Sequence, residues 1–393
     1  MNAKFVTFAA ILMVACVHFG PPAGAEEPAA PLPTIHPRGS GDVRAGLNSS
    51  DQFTRLPQPP ASLVRQVAME QNQEQQAEIA PEADDDDDSW WDSCCPDAKW
   101  IVFGEFLYMR PRNAEVAYAE TINGAVLPPP GPPIQVAPIA MVNPNYEPAF
   151  RVGIGRYIDA CTSVGVTYTH FESQTTHATA TAAPLVIASL VSHPGTATAA
   201  TPFLSASATY GLDFELIDAD YRGMFSYGER YVINYIVGAR YAGLQQDLTA
   251  QFFTNNVETV NTVSNFDGGG IRVGMEGERY SKNGAWKIYG RGVASVVGGE
   301  FRASYTQDDL FGARVVDTGC REARLVTMLD LELGVGWSSP CETLQLTAGY
   351  MVSGWYNVVK TDEWINAVQR NNFVGLGDTL TFDGLMARAE LRF

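Results

Sequence analysis

The sequence lacks three features that would each place it in a common class of protein. Beyond its N-terminus it has no apolar run of the roughly 18 residues that a membrane-spanning helix needs, and its mean hydropathy is −0.08. Basic residues are few, with 26 Lys and Arg against 44 Asp and Glu, which argues against nucleic acid as a partner because phosphate binding requires clustered positive charge. Cysteine and histidine number only 6 and 5, and no CxxC spacing occurs. The sequence therefore predicts neither a metal site nor a cofactor.

The C-terminal segment, Leu380 to Phe393, alternates strictly in character. Successive side chains of a strand point to opposite sides, so one face is apolar (Leu385, Ala387, Ala389, Leu391, Phe393) and the other is mostly charged (Met386, Arg388, Glu390, Arg392). Lipid-facing and lumen-facing residues alternate in this way in outer-membrane barrels. A terminal aromatic residue is typical of these barrels, so Leu391 and Phe393 are the candidate signal for the barrel-assembly machinery.

The N-terminus has the pattern of a secretory signal peptide, predicted to span residues 1–25. Lys4 supplies a positive charge, Phe5 to Phe19 an apolar stretch, and Ala23-Gly24-Ala25 a small-residue cleavage site. A lipid anchor on Cys16 is disfavoured, because Met13-Val14-Ala15 is a poor acylation sequence. We therefore expect export to the cell envelope.

Residues 26–98 form a Pro-rich and acidic arm that we predict to be largely disordered. Its composition offers too little apolar surface to offset the entropy lost on ordering. The unbroken run Asp84 to Asp88 is interpreted as a solvated, self-repelling linker. A calcium or cell-wall contact is the alternative, but calcium loops space their carboxylates and include a glycine.

From residue 99 to residue 393 the sequence predicts an outer-membrane β-barrel. Ten strand-like segments follow one another: Trp100–Arg110, 150–155, Thr162–Glu172, Ala206–Phe225, Tyr231–Phe253, Gly270–Tyr280, Ala285–Tyr305, Arg324–Trp337, Thr343–Tyr356 and Leu380–Phe393. Long connections are expected after Arg110, Glu172, Phe253, Tyr305 and Tyr356, and tight turns near Asp159, Tyr227, Asn283 and Pro340. Outer-membrane barrels have short periplasmic turns and longer extracellular loops. The predicted fold is therefore all-β, an antiparallel transmembrane barrel of about 10 strands (range 8–14), with both termini periplasmic. A secreted β-sandwich is the alternative.

Several segments resemble the Legionella-type major outer membrane proteins, a family of pore-forming barrels. The resemblance covers most of Trp100 to Phe393 in order and rests on aromatic, Gly and alternating patterns: Trp100–Pro111 (WIVFGEFLYMRP), Phe150–Gly155, Val166–Phe171, Asp220–Arg222, Val237–Leu244, Phe266–Gly274 and the closing Phe382-Asp383-Gly384-Leu385. The arm before Trp100 has no counterpart in the family pattern. The resemblance implies a porin-like outer-membrane protein in contact with outer-membrane lipid, without identifying a solute.

The strand alternation predicts which charges face the lumen, where they would set ion selectivity. The candidates are Glu105, Arg151, Asp213, Glu215, Asn234, Arg240, Arg272, Glu276, Lys287, Arg291, Asp330, Glu332, Arg388 and Glu390. Barrels of about eight strands are filled by side chains and those of 16–18 are open, so about ten strands predicts a narrow or plugged lumen. The predicted function is passive passage of small solutes or ions. A non-conducting structural or surface-display barrel is the alternative.

Two smaller expectations concern histidine and cysteine. His170, close to Glu172 and Ser173, makes a barrel hydrolase conceivable, but Tyr168, His170 and Phe171 are better explained as an aromatic girdle, so no enzyme is predicted. Exported proteins meet oxidising conditions. Four cysteines are expected near the periplasmic rim, and disulfides among them are therefore a hypothesis: Cys94, Cys95, Cys161 and Cys341. Cys320 is left over at the opposite rim.

Overall fold

The computed structural model describes residues 100–124, 134–159, 161–199, 201–282, 284–340 and 342–393. The predicted signal peptide and arm lie outside the described residues, as do Cys94, Cys95 and Cys341. No helix in these ranges is both long and apolar enough to cross a bilayer.

The described chain consists of thirteen strands and one helix. In chain order they are β1 (Trp100–Arg112), β2 (Val116–Ile122), β3 (Ala140–Val142), β4 (Glu147–Asp159), β5 (Thr162–Ala180), β6 (Val186–Ser189), β7 (Ser205–Gly228), β8 (Tyr231–Phe253), β9 (Val257–Tyr280), β10 (Trp286–Asp308), β11 (Arg314–Ser338), β12 (Leu344–Val358), α1 (Thr361–Arg370) and β13 (Asp378–Arg392).

Ten of these strands form one closed antiparallel barrel, in the order β1-β13-β12-β11-β10-β9-β8-β7-β5-β4 and back to β1. The ring closes where β1 pairs with β13, and the backbone of Trp100 exchanges hydrogen bonds with that of Phe393. A closed ring pairs every strand edge, which the membrane interior requires because lipid offers no hydrogen bonds. The predicted barrel of about ten strands is confirmed, and the β-sandwich alternative is excluded.

The outer surface carries an apolar band, as the alternation of the strands predicts. On β10, Trp286, Ile288 and Val296 face outward and are exposed, while Lys287 and Tyr289 between them are buried. On β13, Leu385 and Leu391 are exposed in the same way. A continuous apolar exterior on a closed barrel is the surface that lipid would cover.

Five neighbouring strands, β7 to β11, are 23–25 residues long. Roughly 9–11 residues are enough to cross the bilayer, so these strands continue well beyond it. Their shared extension makes two predicted long loops wrong: the β8–β9 connection is only residues 254–256, and the β10–β11 connection only 309–313. Residues 257–269 and 314–323 were predicted to lie in loops, but they alternate like the rest of β9 and β11 and belong to these strands.

Three connections remain long, and among their described residues several side chains pack inside the barrel. They are the β1–β4 connection with β2 and β3, the β5–β7 connection with β6, and the β12–β13 connection with α1. β2, β3 and β6 form a small separate sheet. We call these three connections together the cap. The connections after β4, β7, β9 and β11 lie at the opposite end, which we call the turn end.

Candidate functional site

The turn end of the barrel opens into a cavity of about 1420 Å³. Its mouth is formed by the turns near Asp159, Glu229, Ser281 and Pro340. Side chains of both charge signs line it, and they include Arg222, Glu276, Glu278, Lys287, Arg291, Glu332, Arg388, Glu390 and Arg392. This vestibule is wide and polar, so water and small solutes can enter it.

The floor of the vestibule is a layer of ion pairs that crosses the lumen. Arg151 on β4 binds Glu332 on β11 at 2.7 Å and Glu105 on β1 at 3.0 Å. Arg388 on β13 binds the second oxygen of Glu105 at 2.8 Å. In the ring, β4 and β11 are separated by β1, β13 and β12. The Arg151–Glu332 pair therefore bridges opposite parts of the wall.

A second group of pairs lies beside the first. Arg240 on β8 binds Asp218 at 2.7 Å and Asp330 on β11 at 2.6 Å. Asp330 also accepts a hydrogen bond from Ser353 Oγ at 2.6 Å, and Arg272 pairs with Asp218. Buried charges are tolerated when they are paired and hydrogen-bonded, which explains how this many ionised groups share one lumen.

Arg291 is held more loosely than the other arginines. Its guanidinium lies 3.7 Å from Asp220, 3.9 Å from Glu276 and 3.7 Å from Glu332. These separations exceed normal hydrogen-bond lengths, and Arg291 borders the vestibule. Arg291 is thus left without a short ion pair on the side of the layer that meets the vestibule.

An aromatic layer lies on the cap side of the ion pairs. Phe214 on β7 contacts Phe382 on β13 with ring centroids 4.7 Å apart, and Trp355 on β12 at 5.5 Å. Phe171 on β5 completes the cluster at 5.4 Å from Phe214. All four rings are buried. Since they reach from β5 and β7 on one side and from β12 and β13 on the other, they span the lumen between these parts of the wall.

The described part of the cap packs against inward residues of the barrel at the end opposite the vestibule. The β5–β7 connection is fastened where Ser192 Oγ donates to buried Glu258 on β9 at 2.5 Å, and Gln307 on β10 donates to the same carboxylate oxygen at 2.8 Å. From α1, Gln369 donates to the carbonyls of Leu190 and Ser192 at 2.8 and 3.1 Å. The connections therefore hold one another as well as the strands.

Helix α1 supplies the apolar part of this closure. Trp364, Ile365 and Val368 are buried on one face, and Trp364 packs against Phe301 and Phe373. Asp362 and Glu363 occupy its first turn, where carboxylates are favoured by the helix dipole. Burial raises the pKa of Asp362, and Lys360 lies 3.8 Å from it.

Tyr118 anchors the β1–β4 connection. It is buried, and its hydroxyl hydrogen-bonds Nδ1 of His177 on β5 at 2.9 Å. Burial raises the pKa of Tyr118 to about 12. The hydroxyl therefore stays protonated at neutral pH and keeps this contact.

Most predicted lumen charges lie on the inner wall. The ion-pair layer or the vestibule lining contains Glu105, Arg151, Asn234, Arg240, Arg272, Glu276, Lys287, Arg291, Asp330, Glu332, Arg388 and Glu390. Lys287 binds Glu278 at 2.6 Å and Glu390 binds Arg392 at 2.9 Å, both at the vestibule.

The predictions for Asp213 and Glu215 are wrong. Both face outward on β7, while Leu212, Phe214 and Leu216 between them are buried inside. The alternation distinguishes two faces without saying which faces the lumen, and here the apolar face packs under the cap. In this part of β7 the inner face is therefore apolar and the outer face acidic, the reverse of the usual polarity of the barrel wall.

His170 also faces outward. It lies next to Phe150 and Tyr168, and its Nδ1 is 3.7 Å from Asp213 and 3.8 Å from Glu215. Tyr168 and His170 thus occupy outward girdle positions, whereas Phe171 belongs to the aromatic layer and was wrongly included in the girdle. In the described ranges, no group of three or more His, Cys, Asp or Glu side chains is arranged to hold a metal ion.

Within the described residues Cys161 is an exposed free thiol at the turn end, and Cys320 on β11 is free and partly buried. With Cys94, Cys95 and Cys341 outside the described residues, the proposed disulfides stay a prediction. The aromatic layer and the cap were missed from the sequence. Their signal was present in the large apolar residues at alternate positions of β7 (Tyr210, Leu212, Phe214, Leu216) and in the amphipathic pattern of Trp364, Ile365 and Val368.

One family model and several solved structures are similar to this chain. The family model of the Legionella pneumophila major outer membrane protein precursor matches residues 93–386. The chain is similar in structure to the outer membrane protease OmpT from Escherichia coli, with 10% identity over 75% of this chain and 97% of that chain, and a TM-score of 0.46. It is also similar to a major outer membrane protein from Thermus thermophilus, with 10% identity, 75% and 100% coverage, and a TM-score of 0.29. No curated protein sequence matches significantly. The structural likenesses are too distant to carry an argument about activity.

Proposed function

We propose that this chain, which belongs to the Legionella pneumophila major outer membrane protein family, is a structural or surface-display barrel whose lumen is sealed to solutes in the described conformation. Its place is the outer membrane. The observation that carries the proposal is the contact of opposite walls: Arg151 with Glu332, Arg240 with Asp330, and Phe214 with Phe382. A permeation path would have to break all three contacts and displace the cap.

A small-solute or ion pore is the second candidate, and the vestibule favours it. A cavity of about 1420 Å³ lined by charges reaches the ion-pair layer from the turn end, and Arg291 is held there without a short ion pair. Passage would require another conformation, in which the cap and the aromatic layer have moved. The mixed signs of the lining give no preference for anions or cations.

Catalysis is not part of this proposal. His170, the histidine nearest to carboxylates, faces outward from the barrel wall beside Phe150. It lies on the opposite side of the wall from the vestibule, where a substrate would be enclosed. The outward position of His170 therefore favours a barrel without enzymatic activity.

The sequence adds three proposals about biogenesis. Residues 1–25 would direct export as a cleaved signal peptide, residues 26–98 would form an arm on the periplasmic side, and Leu391 with Phe393 would be read by the barrel-assembly machinery. The side chains of Leu391 and Phe393 are both exposed on the lipid-facing side near the turn end.

Single-channel recording in a planar bilayer with asymmetric salt tests the sealed lumen. Refolded protein with the heat-modifiable gel mobility of a closed barrel is expected to insert without conductance steps. The Phe214→Ala/Phe382→Ala variant removes two of the four rings of the aromatic layer and so weakens the sealed conformation. Brief leak currents are expected from it, at moments when the remaining contacts also open. The matched control, Phe106→Ala, truncates an exposed lipid-facing ring and is expected to stay silent. Discrete steps from the unchanged protein would instead establish the pore, and their reversal potential would give its ion preference.

A further inference from the structure

Two arginines face outward just beyond the apolar band of the barrel. Arg302 on β10 and Arg321 on β11 are directly opposite each other in the sheet register. Leu325, exposed on the same face of β11 as Arg321, belongs to the band. A strand rises about 3.3 Å per residue and tilts about 40° in such barrels. The arginine pair therefore lies roughly 10 Å beyond Leu325, on the side of the long loops.

This depth corresponds to the headgroup layer of the outer leaflet. The polar layer adds roughly 5–8 Å to each side of the hydrocarbon core, and an arginine side chain can extend along the wall to place its charge within that layer. Both side chains are accessible, at 54% exposed for Arg302 and 73% for Arg321.

The pair is electrostatically incomplete. Like charges directly opposite in a sheet repel each other. Among the described residues, Glu300 is the one carboxylate within ion-pair distance of either arginine, with Arg321 Nη2 at 2.8 Å and Arg302 Nη2 at 3.4 Å. A guanidinium has five N–H donors. One carboxylate therefore leaves several donors and one positive charge for an external anion.

Strands β5, β7, β8 and β9, which follow on one side of the pair, offer no second place of this kind. Their charged outward residues beyond the band are acidic: Glu172, Asp213, Glu215, Asp247 and Asp267. Acidic side chains repel phosphate. An anionic headgroup that approaches this wall is therefore directed towards β10 and β11.

We propose that Arg302 and Arg321 bind the phosphate of a phosphorylated glycolipid of the lipid A type in the outer leaflet. Planar guanidinium groups match phosphate with paired charge-assisted hydrogen bonds. The exposed side chains of Leu325 and Val296 lie below the pair on the same faces, where acyl chains of the same lipid would pack. The proposal rests on the outer-membrane location and on an orientation with the cap outside, and it is independent of whether the lumen conducts.

The test is lipid titration of the detergent-purified protein by native mass spectrometry. The probes are bisphosphorylated lipid A, the same lipid after phosphatase treatment, and phosphatidylglycerol. Bisphosphorylated lipid A is expected to bind best. The Arg302→Gln/Arg321→Gln variant is expected to raise its apparent dissociation constant by about tenfold or more, because two charge-assisted contacts are lost.

Two further variants make the result decisive. Glu300→Gln removes the competing carboxylate and is expected to tighten binding of bisphosphorylated lipid A. Arg314→Gln is the matched control: Arg314 is equally exposed on β11 but farther from the band and paired with Asp308 at 3.1 Å, so no change is expected. Heat-modifiable gel mobility checks that each variant remains folded. Unchanged affinity in the double arginine variant, or equal binding of phosphatidylglycerol or the phosphatase-treated lipid, would overturn the proposal.

Discussion

Phe214 and Phe382 meet edge to face in the centre of the barrel, with ring centroids 4.7 Å apart and planes at 65°. Along the ring, their strands β7 and β13 are separated by β5, β4 and β1. The contact therefore joins opposite walls, which adjacent strand pairing cannot do. It makes the interior of this barrel a packed core on the cap side and an aqueous vestibule on the turn side.

The first prediction concerns this contact. Phe214→Ala and Phe382→Ala are each expected to lower the free energy of unfolding by about 3–5 kcal/mol, as for other buried aromatic residues. Because the rings touch, a double-mutant cycle in urea should show a coupling of about 0.5–1.5 kcal/mol. Additive losses would mean that the two rings do not contact in the folded protein.

The second prediction concerns the ion pair that crosses the lumen. Arg151→Met leaves Glu332 without its short partner and is expected to cost about 3–5 kcal/mol of unfolding free energy. Arg151→Met/Glu332→Met, which removes both charges, should recover part of this loss. The exposed pair of Arg314 provides the contrast, since Arg314→Gln is expected to change stability by about 0–1 kcal/mol. A similar small loss for Arg151→Met would show that water, not Arg151, solvates Glu332.

The third prediction tests the reversed faces of β7. In a background without other cysteines, Asp213→Cys should react with a membrane-impermeant maleimide on intact cells. Asp218→Cys, five positions further along the strand and on its inner face, should react only after unfolding. Protection of both sites would contradict the outward position of Asp213 and the cell-surface exposure of this part of β7.

The fourth prediction concerns acid sensitivity of the cap. Lys360 binds Asp378 at 2.7 Å; burial opposes ionisation of Asp378, but the hydrogen bond and charge of Lys360 outweigh it and lower the pKa of that carboxyl. A lowered pKa in the folded state stabilises the protein above the unfolded value of about 3.9, and this contribution is lost as pH falls through the lowered pKa. Proteolysis of the α1 connection should therefore rise below about pH 4.

Two variants check this pH dependence. Asp378→Asn should weaken the attachment of the connection at neutral pH and flatten the acid response. Asp362→Asn is the control. Burial raises the pKa of Asp362, so ionisation of this carboxyl destabilises the folded connection, whereas ionisation of Asp378 stabilises it. If both variants respond to acid as the unchanged protein does, Asp378 is not the titrating group.

The fifth prediction concerns residues 26–98. Because ring closure begins at Trp100, whose backbone pairs with Phe393, deletion of 26–98 should leave the heat-modifiable mobility of the barrel unchanged. Loss of barrel folding in the deletion variant would show that the arm takes part in closure. Normal folding with altered retention at the cell surface would assign the arm to anchoring.

The strand alternation was sufficient to predict the barrel wall. Residues such as Trp286 to Val296 repeat with a period of two, and that local property follows from backbone geometry alone. The number of barrel strands, the closure of Trp100 on the C-terminus and the inward position of Arg151 and Arg240 therefore follow from the pattern. Strand ends could be predicted less well. The strands β9 and β11 continue beyond the membrane, and no change in their alternation marks the position of the membrane surface.

The sequence by itself determined an antiparallel barrel of about ten strands with a charged interior. Only the tertiary structure decided which face of β7 points inward, because alternation is symmetric and either face satisfies it. Burying Leu212, Phe214 and Leu216 became favourable once α1 and the β5–β7 connection folded into the lumen and offered apolar surface there. The sealed lumen has the same origin: the contacts of Arg151 with Glu332 and of Phe214 with Phe382 join residues far apart in sequence, and ring closure brings them together.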